Sequence, residues 1–121
     1  MTPDYLHFPN GQKFRIEANW DSFVTFCDLT GRSDLAALDD IKGFRINEVK
    51  VLIWACIKEG EEADGNKFNL SIKDISKRLN PILVGVFFEI YSKQVYAQIP
   101  QEYQTKKKSL IKMFTTRKHS E

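Results

Sequence analysis

The stretch Phe26-Cys27-Asp28-Leu29-Thr30-Gly31-Arg32-Ser33, with Leu52-Ile53-Trp54-Ala55-Cys56-Ile57 further along, decides the fold class of this chain. Both segments space their apolar side chains as amphipathic helices do. Gly31 is placed to end the first of these helices, because glycine readily adopts the left-handed conformation that follows a helix. The two segments therefore predict a mainly α-helical protein.

Composition agrees with a single globular domain. The chain has 121 residues, of which 42% are hydrophobic and 12% aromatic. No apolar run approaches the roughly 18 residues of a membrane span, and Met1-Thr2-Pro3-Asp4 has no features of a signal peptide. We therefore expect a cytoplasmic protein. In a reducing compartment its two cysteines, Cys27 and Cys56, are expected to act as small buried hydrophobes without forming a disulfide.

Charge is distributed unevenly along the chain. From Lys106 to the end there are six basic residues against one acidic residue, whereas the remainder carries twelve basic and fifteen acidic residues. We expect a single helical domain with an N-terminal hairpin over residues 1–100 and a basic C-terminal tail, helical or partly disordered, over 101–121. The tail is either an arm for nucleic acid or an acidic partner, or a solvated terminus that aids solubility. We favour the solvated terminus.

The N-terminal third predicts a β-hairpin followed by two helices. Residues 5–8 and 13–16 flank an Asn-Gly turn, the strongest short hairpin signal. Asn19 is expected to cap a helix that ends at Thr30. Its apolar stripe comprises Trp20, Phe23, Val24 and Cys27. Ser33 is expected to cap a short second helix, which would bury Leu35, Ala36 and Leu38.

The third predicted helix runs from Asn47 to Glu59 and is ended by Gly60. It is apolar on its main face (Val49, Leu52, Ile53, Cys56, Ile57) and also on other sides (Val51, Trp54, Ala55). A helix that is apolar on more than one side must be buried on more than one side. The rest of this chain and a partner chain are both able to supply that cover.

Two further helices are expected before the tail. Ser71 and Asp74 form a capping box for a helix from Ile72 to Leu79. Asn80 and Pro81 then open a long fifth helix that ends near residue 98. Its stripes are Leu83, Phe87 and Ile90, and then Val84, Phe88, Tyr91 and Val95. The fold class is thus a small bundle of about five helices with an N-terminal hairpin. Its predicted core comprises Trp20, Phe23, Val24, Cys27, Leu52, Ile53, Ile57, Leu83 and Phe87.

Residues for catalysis or for a cofactor are not evident in the sequence. His7 and His119 are not spaced with other residues as metal ligands would be. The carboxylate pairs Asp39-Asp40 and Glu61-Glu62 are typical of a helix end and a solvated loop, and phosphate-binding or dinucleotide-binding motifs do not occur. We therefore expect a non-enzymatic protein with no metal and no cofactor.

Five phrases in unbroken order carry a resemblance to a known family. They run from Phe26 to Gly31, from Leu35 to Leu38, from Val51 to Lys58, from Glu59 to Gly65, and from Ser71 to Ile75. Their order and spacing resemble those of the tail assembly chaperones of long-tailed bacteriophages and prophages. The chain departs from that pattern at Cys56, where a small glycine is frequent, and at Lys77 and Arg78, where relatives often carry acidic residues.

The resemblance implies a chaperone that binds the hydrophobic helical segments of the tape measure protein during tail morphogenesis, in the cytoplasm of the host bacterium. It also implies a homo-oligomer, and a longer form, made by ribosomal slippage near Lys106-Lys107-Lys108, that recruits the tail tube protein. The candidate protein-binding residues are apolar side chains beyond those needed for one core: Val51, Trp54, Val84, Phe88, Tyr91 and Val95.

Two alternatives stay open. The first alternative to the chaperone is a nucleic-acid-binding phage accessory protein that uses its basic C-terminal tail. The second is a structural subunit that remains in the finished phage tail. The net acidic body argues against nucleic acid, and a membrane partner is not expected. Salt-sensitive DNA binding would support the first alternative, and presence in purified particles would support the second.

Overall fold

The computed structural model describes residues 2–32 and 44–98. Over these residues the protein is mainly helical, with an N-terminal antiparallel hairpin and four helices. The elements are β1 (Asp4–His7), β2 (Lys13–Ile16), α1 (Trp20–Thr30), α2 (Ile46–Ala63), α3 (Ile72–Ser76) and α4 (Pro81–Ala97). About five helices were predicted; the helix expected from Ser33 and the tail over 101–121 lie outside the described residues. None of the four helices is both long and apolar enough to cross a membrane.

The hairpin forms as its turn residues predict. Gly11 has a φ of 89°, which glycine adopts without a steric penalty. The backbone N–H of Phe8 donates to the carbonyl of Gln12 at 2.8 Å, closing the turn. Strand register pairs Leu6 with Phe14, and both side chains are buried together with that of Ile16. One face of the ribbon therefore lies against the helices, as a two-stranded ribbon requires for stability.

Helix α1 begins and ends where the sequence predicts. Asn19 and Ser22 form a reciprocal capping box, and Gly31 ends the helix with a φ of 78°. The predicted buried stripe was wrong at Trp20, which is 67% exposed. The helix instead buries Ser22 and Phe26, which are 1% and 0% exposed. Ser22 tolerates burial because its hydroxyl is already bonded to the Asn19 carbonyl.

The other predicted core residues of α1 lie at the edge of the core. Phe23, Val24 and Cys27 are half-buried. Phe23 and Cys27 pack against the core cluster. The core is thus centred on the side of α1 that carries Ser22 and Phe26, next to the predicted stripe.

Helix α2 is longer than the sequence predicts, because Gly60 does not end it. A β-carbon at Gly60 would lie 2.0 Å from the carbonyl oxygen of Arg15, so glycine is needed where β2 crosses the helix. The backbone N–H of Glu17 also donates to the carbonyl of Cys56 at 3.1 Å. Within this chain α2 is covered on more than one side. Its buried residues are Val51, Leu52, Ile53, Ala55, Cys56, Ile57 and Gly60.

Helices α3 and α4 carry the caps that the sequence predicts. The Ser71–Asp74 capping box opens α3, which ends at Ser76 instead of Leu79 because the chain tightens into a turn, with the Arg78 N–H donating to the Ile75 carbonyl at 2.9 Å. Asn80 caps α4 by accepting from the Leu83 N–H at 2.9 Å. Five predicted core residues are confirmed as buried: Leu52, Ile53, Ile57, Leu83 and Phe87.

Candidate protein-binding surface

The side chain of Gln94 connects α4 to the N-terminal ribbon through hydrogen bonds. Its side-chain oxygen accepts from the Ala18 backbone N–H at 2.7 Å. Its amide nitrogen donates to the Ile16 carbonyl at 2.8 Å and to a carboxylate oxygen of Asp4 at 3.1 Å. Lys93 donates to the other Asp4 oxygen at 2.5 Å. These bonds fix which side of α4 faces the body of the protein.

The inward strip of α4 consists of Leu83, Phe87 and Tyr91, which are 8%, 0% and 7% exposed. Burial, with smaller contributions from the nearby Cys56 and Cys27, raises the pKa of Tyr91 to about 12. The Tyr91 hydroxyl therefore stays neutral over the physiological range. This strip serves the fold.

A second apolar strip lies beside the first and is incompletely covered. We define the α4 flank as Val84, Phe88 and Val95. The first two are half-buried, and Val95 is 41% exposed. The Phe88 ring packs edge-on against Phe87 and Tyr91, with ring centroids 5.3 and 6.3 Å apart. Those contacts hold Phe88 in place while part of its surface stays open.

A third strip lies on the side of α4 away from the core, although the ammonium of Lys93 in this strip reaches back to Asp4 of β1. We define the α4 outer face as Ile82, Val86, Glu89, Lys93 and Tyr96. Its apolar members, Ile82, Val86 and Tyr96, are 79%, 39% and 37% exposed. Both charged residues of α4 lie on this face, and both are exposed. The flank therefore carries no charge, whereas the outer face carries one of each sign.

Three of the six candidate residues are used inside the chain. Val51 is 8% exposed and belongs to the core cluster. The indole nitrogen of Trp54 donates to the Leu70 carbonyl at 2.9 Å, and its ring lies 6.2 Å from that of Phe68. Tyr91 lies in the inward strip. The other three candidates form the α4 flank: Val84 and Phe88 pack against the core but are incompletely covered, and Val95 is exposed.

Other exposed apolar residues were not among the sequence-based candidates. Trp20, Leu29 and Ile46 are 67%, 53% and 87% exposed. Trp20 had been assigned to the core, although it is the first residue of α1. No local signal in the sequence marks this exposure, because the side of α1 that faces the core depends on what Phe26 packs against.

The described residues provide contact surfaces and few reactive groups. Among residues 2–32 and 44–98, no three His, Cys, Asp or Glu side chains are grouped so that they could hold a metal ion. Burial raises the pKa of the Cys56 thiol to about 12, although a hydrogen bond with Ser22 opposes the rise. Cys56 is therefore an inert core thiol, in contrast to a thiolate nucleophile.

Comparisons with known proteins identified no relative: no family model, no curated protein and no solved structure matches the chain.

Proposed function

We propose that the chain is a non-enzymatic tail assembly chaperone, which binds hydrophobic helical segments of the tape measure protein during phage tail morphogenesis. The observation that carries this proposal is the uncharged α4 flank, which the described part of the body leaves partly open. The order of the sequence phrases that resemble this family gives the client its identity.

The α4 flank has the chemistry of a surface for an apolar helix. Its residues recur at spacings of four and seven along α4, so they form one continuous strip. Helix-in-groove recognition uses anchors at such spacings. Phe88 is the aromatic member of this strip, and aromatic rings bury much area at a low cost in side-chain entropy.

The lack of charge on the flank favours an apolar client over a charged one. A client residue with a charge would be desolvated against Val84, Phe88 and Val95 without a partner, at a cost of several kcal/mol. Tape measure segments with continuous apolar helical faces meet no such penalty. Burial of these faces also lowers their tendency to aggregate.

Co-expression with the tape measure protein of the encoding phage or prophage tests this proposal. The full-length chain is expected to raise the soluble fraction of the tape measure protein and to co-purify with it. Val95→Lys should reduce both effects, because it places a charge on the flank. Leu29→Lys is the matched control, since Leu29 is also an exposed apolar residue in the last turn of a helix.

Several results would contradict the proposal. Equal solubility of the tape measure protein with and without the chain would remove the chaperone role. Equal effects of Val95→Lys and Leu29→Lys would place the client elsewhere. Recovery of the chain in purified tails would identify a structural subunit, and salt-sensitive DNA binding with no effect on the tape measure protein would identify a nucleic-acid-binding protein.

A further inference from the structure

The α4 outer face has the spacing of a coiled-coil seam. Its five residues follow one another at alternating intervals of four and three: Ile82, Val86, Glu89, Lys93 and Tyr96. That alternation is the heptad pattern by which one helix meets another along its length. The core does not require this pattern, because α4 packs into the core through Leu83, Phe87 and Tyr91. Lys93 of the outer face adds an ion pair with Asp4.

The order of side chains along the outer face is self-complementary when two copies of the helix lie antiparallel. Apolar residues lie toward both ends, and an oppositely charged pair lies between them. When two such faces meet antiparallel, a two-fold axis midway between residues 89 and 93 places Glu89 against Lys93 of the partner subunit. The same axis places Val86 against the partner subunit's Tyr96. Each contact occurs twice, as in the isologous interface of a two-fold dimer.

We propose that the α4 outer face binds the same face of a second copy of this chain, with the two helices antiparallel. The occupant follows from the charges. In a parallel pair, Glu89 would face Glu89 of the partner subunit, and the lysines would likewise face each other. Like charges at a helix interface are repulsive, so the sequence selects the antiparallel arrangement.

Neither charged side chain is prevented from making this contact. Glu89 forms no ion pair within residues 2–32 and 44–98. The Lys93 side chain is 66% exposed although its ammonium contacts Asp4. An ammonium has three N–H donors, so Lys93 is able to hold Asp4 and a carboxylate of the second copy together.

The self-pairing does not depend on the proposed client, because the outer face and the flank are different sides of α4. Val95→Lys leaves the outer face unchanged, and substitution at Glu89 leaves the flank unchanged. Loss of client binding with the dimer intact would reject the proposed function alone. Loss of the dimer with client binding intact would leave that function standing.

Sedimentation equilibrium of the full-length chain provides the test. The wild type is expected to be in monomer–dimer equilibrium. Glu89→Lys should raise the dissociation constant by about tenfold or more, because both charge pairs become repulsive. Asp28→Lys, an exposed residue on α1, makes the same change in net charge and should leave the dimer unchanged.

Charge exchange distinguishes the antiparallel pairing from a general effect of charge. The double variant E89K/K93E should dimerise again, because each lysine faces a glutamate of the other copy. An equimolar mixture of Glu89→Lys and Lys93→Glu should form a mixed dimer, whereas each variant alone should not. Far-UV circular dichroism checks that Lys93→Glu and E89K/K93E, which both lose the contact of Lys93 with Asp4, stay folded.

Three results would overturn the proposal. The first is a wild type that remains monomeric at about 100 μM, a concentration far above the dissociation constant of a stable dimer. The second is equal weakening of the dimer by Glu89→Lys and Asp28→Lys. The third is failure of E89K/K93E to restore association.

Discussion

Gly60 of α2 and Arg15 of β2 meet backbone to backbone. A β-carbon at Gly60 would lie 2.0 Å from the Arg15 carbonyl oxygen and 2.4 Å from its carbonyl carbon. Beside this contact the Arg15 N–H donates to a Glu61 carboxylate oxygen at 3.0 Å, and the Arg15 guanidinium pairs with Asp64 at 2.5 Å. The ribbon is therefore held to α2 by a close approach flanked by polar bonds.

The first prediction concerns that approach. Gly60→Ala should lower the free energy of unfolding by about 2–4 kcal/mol, because neither backbone is able to move away without breaking its neighbours' bonds. Gly85→Ala is the matched control: it lies inside α4 with nothing within 4 Å of the added carbon. It should stabilise by about 0.5–1 kcal/mol through helix propensity. Equal effects in urea denaturation would show that the close approach is absent.

The second prediction tests which side of α1 faces the core. Phe26 is 0% exposed, and its ring lies 4.9 Å from that of Phe44. Phe26→Ala should therefore cost about 3–5 kcal/mol of unfolding free energy. Trp20→Ala should cost less than about 1 kcal/mol, because Trp20 is largely exposed. A larger loss of stability for Trp20→Ala than for Phe26→Ala, in thermal or urea unfolding, would mean that the apolar stripe predicted from the sequence faces the core.

The third prediction concerns acid unfolding. Hydrogen bonds from Arg15 and Tyr5 lower the pKa of Asp64. A carboxyl whose pKa is lower in the folded protein contributes stability above its unfolded pKa and loses that contribution as the pH falls through its folded pKa. Asp64→Asn should therefore be less stable than wild type near pH 7, and its stability should fall less between about pH 5 and pH 2.

A graded comparison accompanies this measurement. Tyr5→Phe removes only the 2.9 Å bond to Asp64, so it should reduce the acid dependence less than Asp64→Asn does. Part of the dependence should persist in both variants, because the pKa values of Asp4, Glu48 and Asp74 are also lowered. Identical pH profiles for wild type and Asp64→Asn would mean that the Arg15–Asp64 pair contributes nothing to folding.

The fourth prediction concerns thiol reactivity. Cys56 is 0% exposed and its pKa is raised to about 12 by burial, whereas Cys27 is half-buried. A disulfide reagent such as Ellman's should label Cys27 first in the native protein and both thiols in denaturant. In Cys27→Ser, labelling should occur only through unfolding. Rapid labelling of native Cys27→Ser would place Cys56 at the surface.

Local signals in the sequence predicted most element boundaries. Asn19, Gly31, Ser71 and Asn80 act on groups within a few residues of themselves, so their roles are visible without the tertiary structure. The Asn10-Gly11 turn was found for the same reason. The hairpin, the two ends of α1 and the start of α4 were therefore predicted correctly.

The errors arose where a distant segment decides the outcome. In the sequence, Gly60 has the pattern of a residue that ends a helix. Only the position of β2 across α2 shows that a glycine is needed there for a close approach. The orientation of α1 depends on what Phe26 packs against. The candidate surface shows the same limit: Trp54 and Val84 both belong to apolar stripes, but only the position of Leu70 shows that the indole of Trp54 is occupied within the chain.

The Gln94 contacts have a consequence for the order in which the chain folds. Gln94 lies 76 residues after Ala18, and Lys93 lies 89 residues after Asp4. During synthesis β1 is able to pair with β2 early, but Asp4 lacks its contacts with α4 until almost all of the described chain has left the ribosome. Contacts this distant along a chain also form slowly, because a long loop must close first. After α4 emerges and before it docks, all three of its strips are exposed together, and this is when the protein itself is most prone to aggregate.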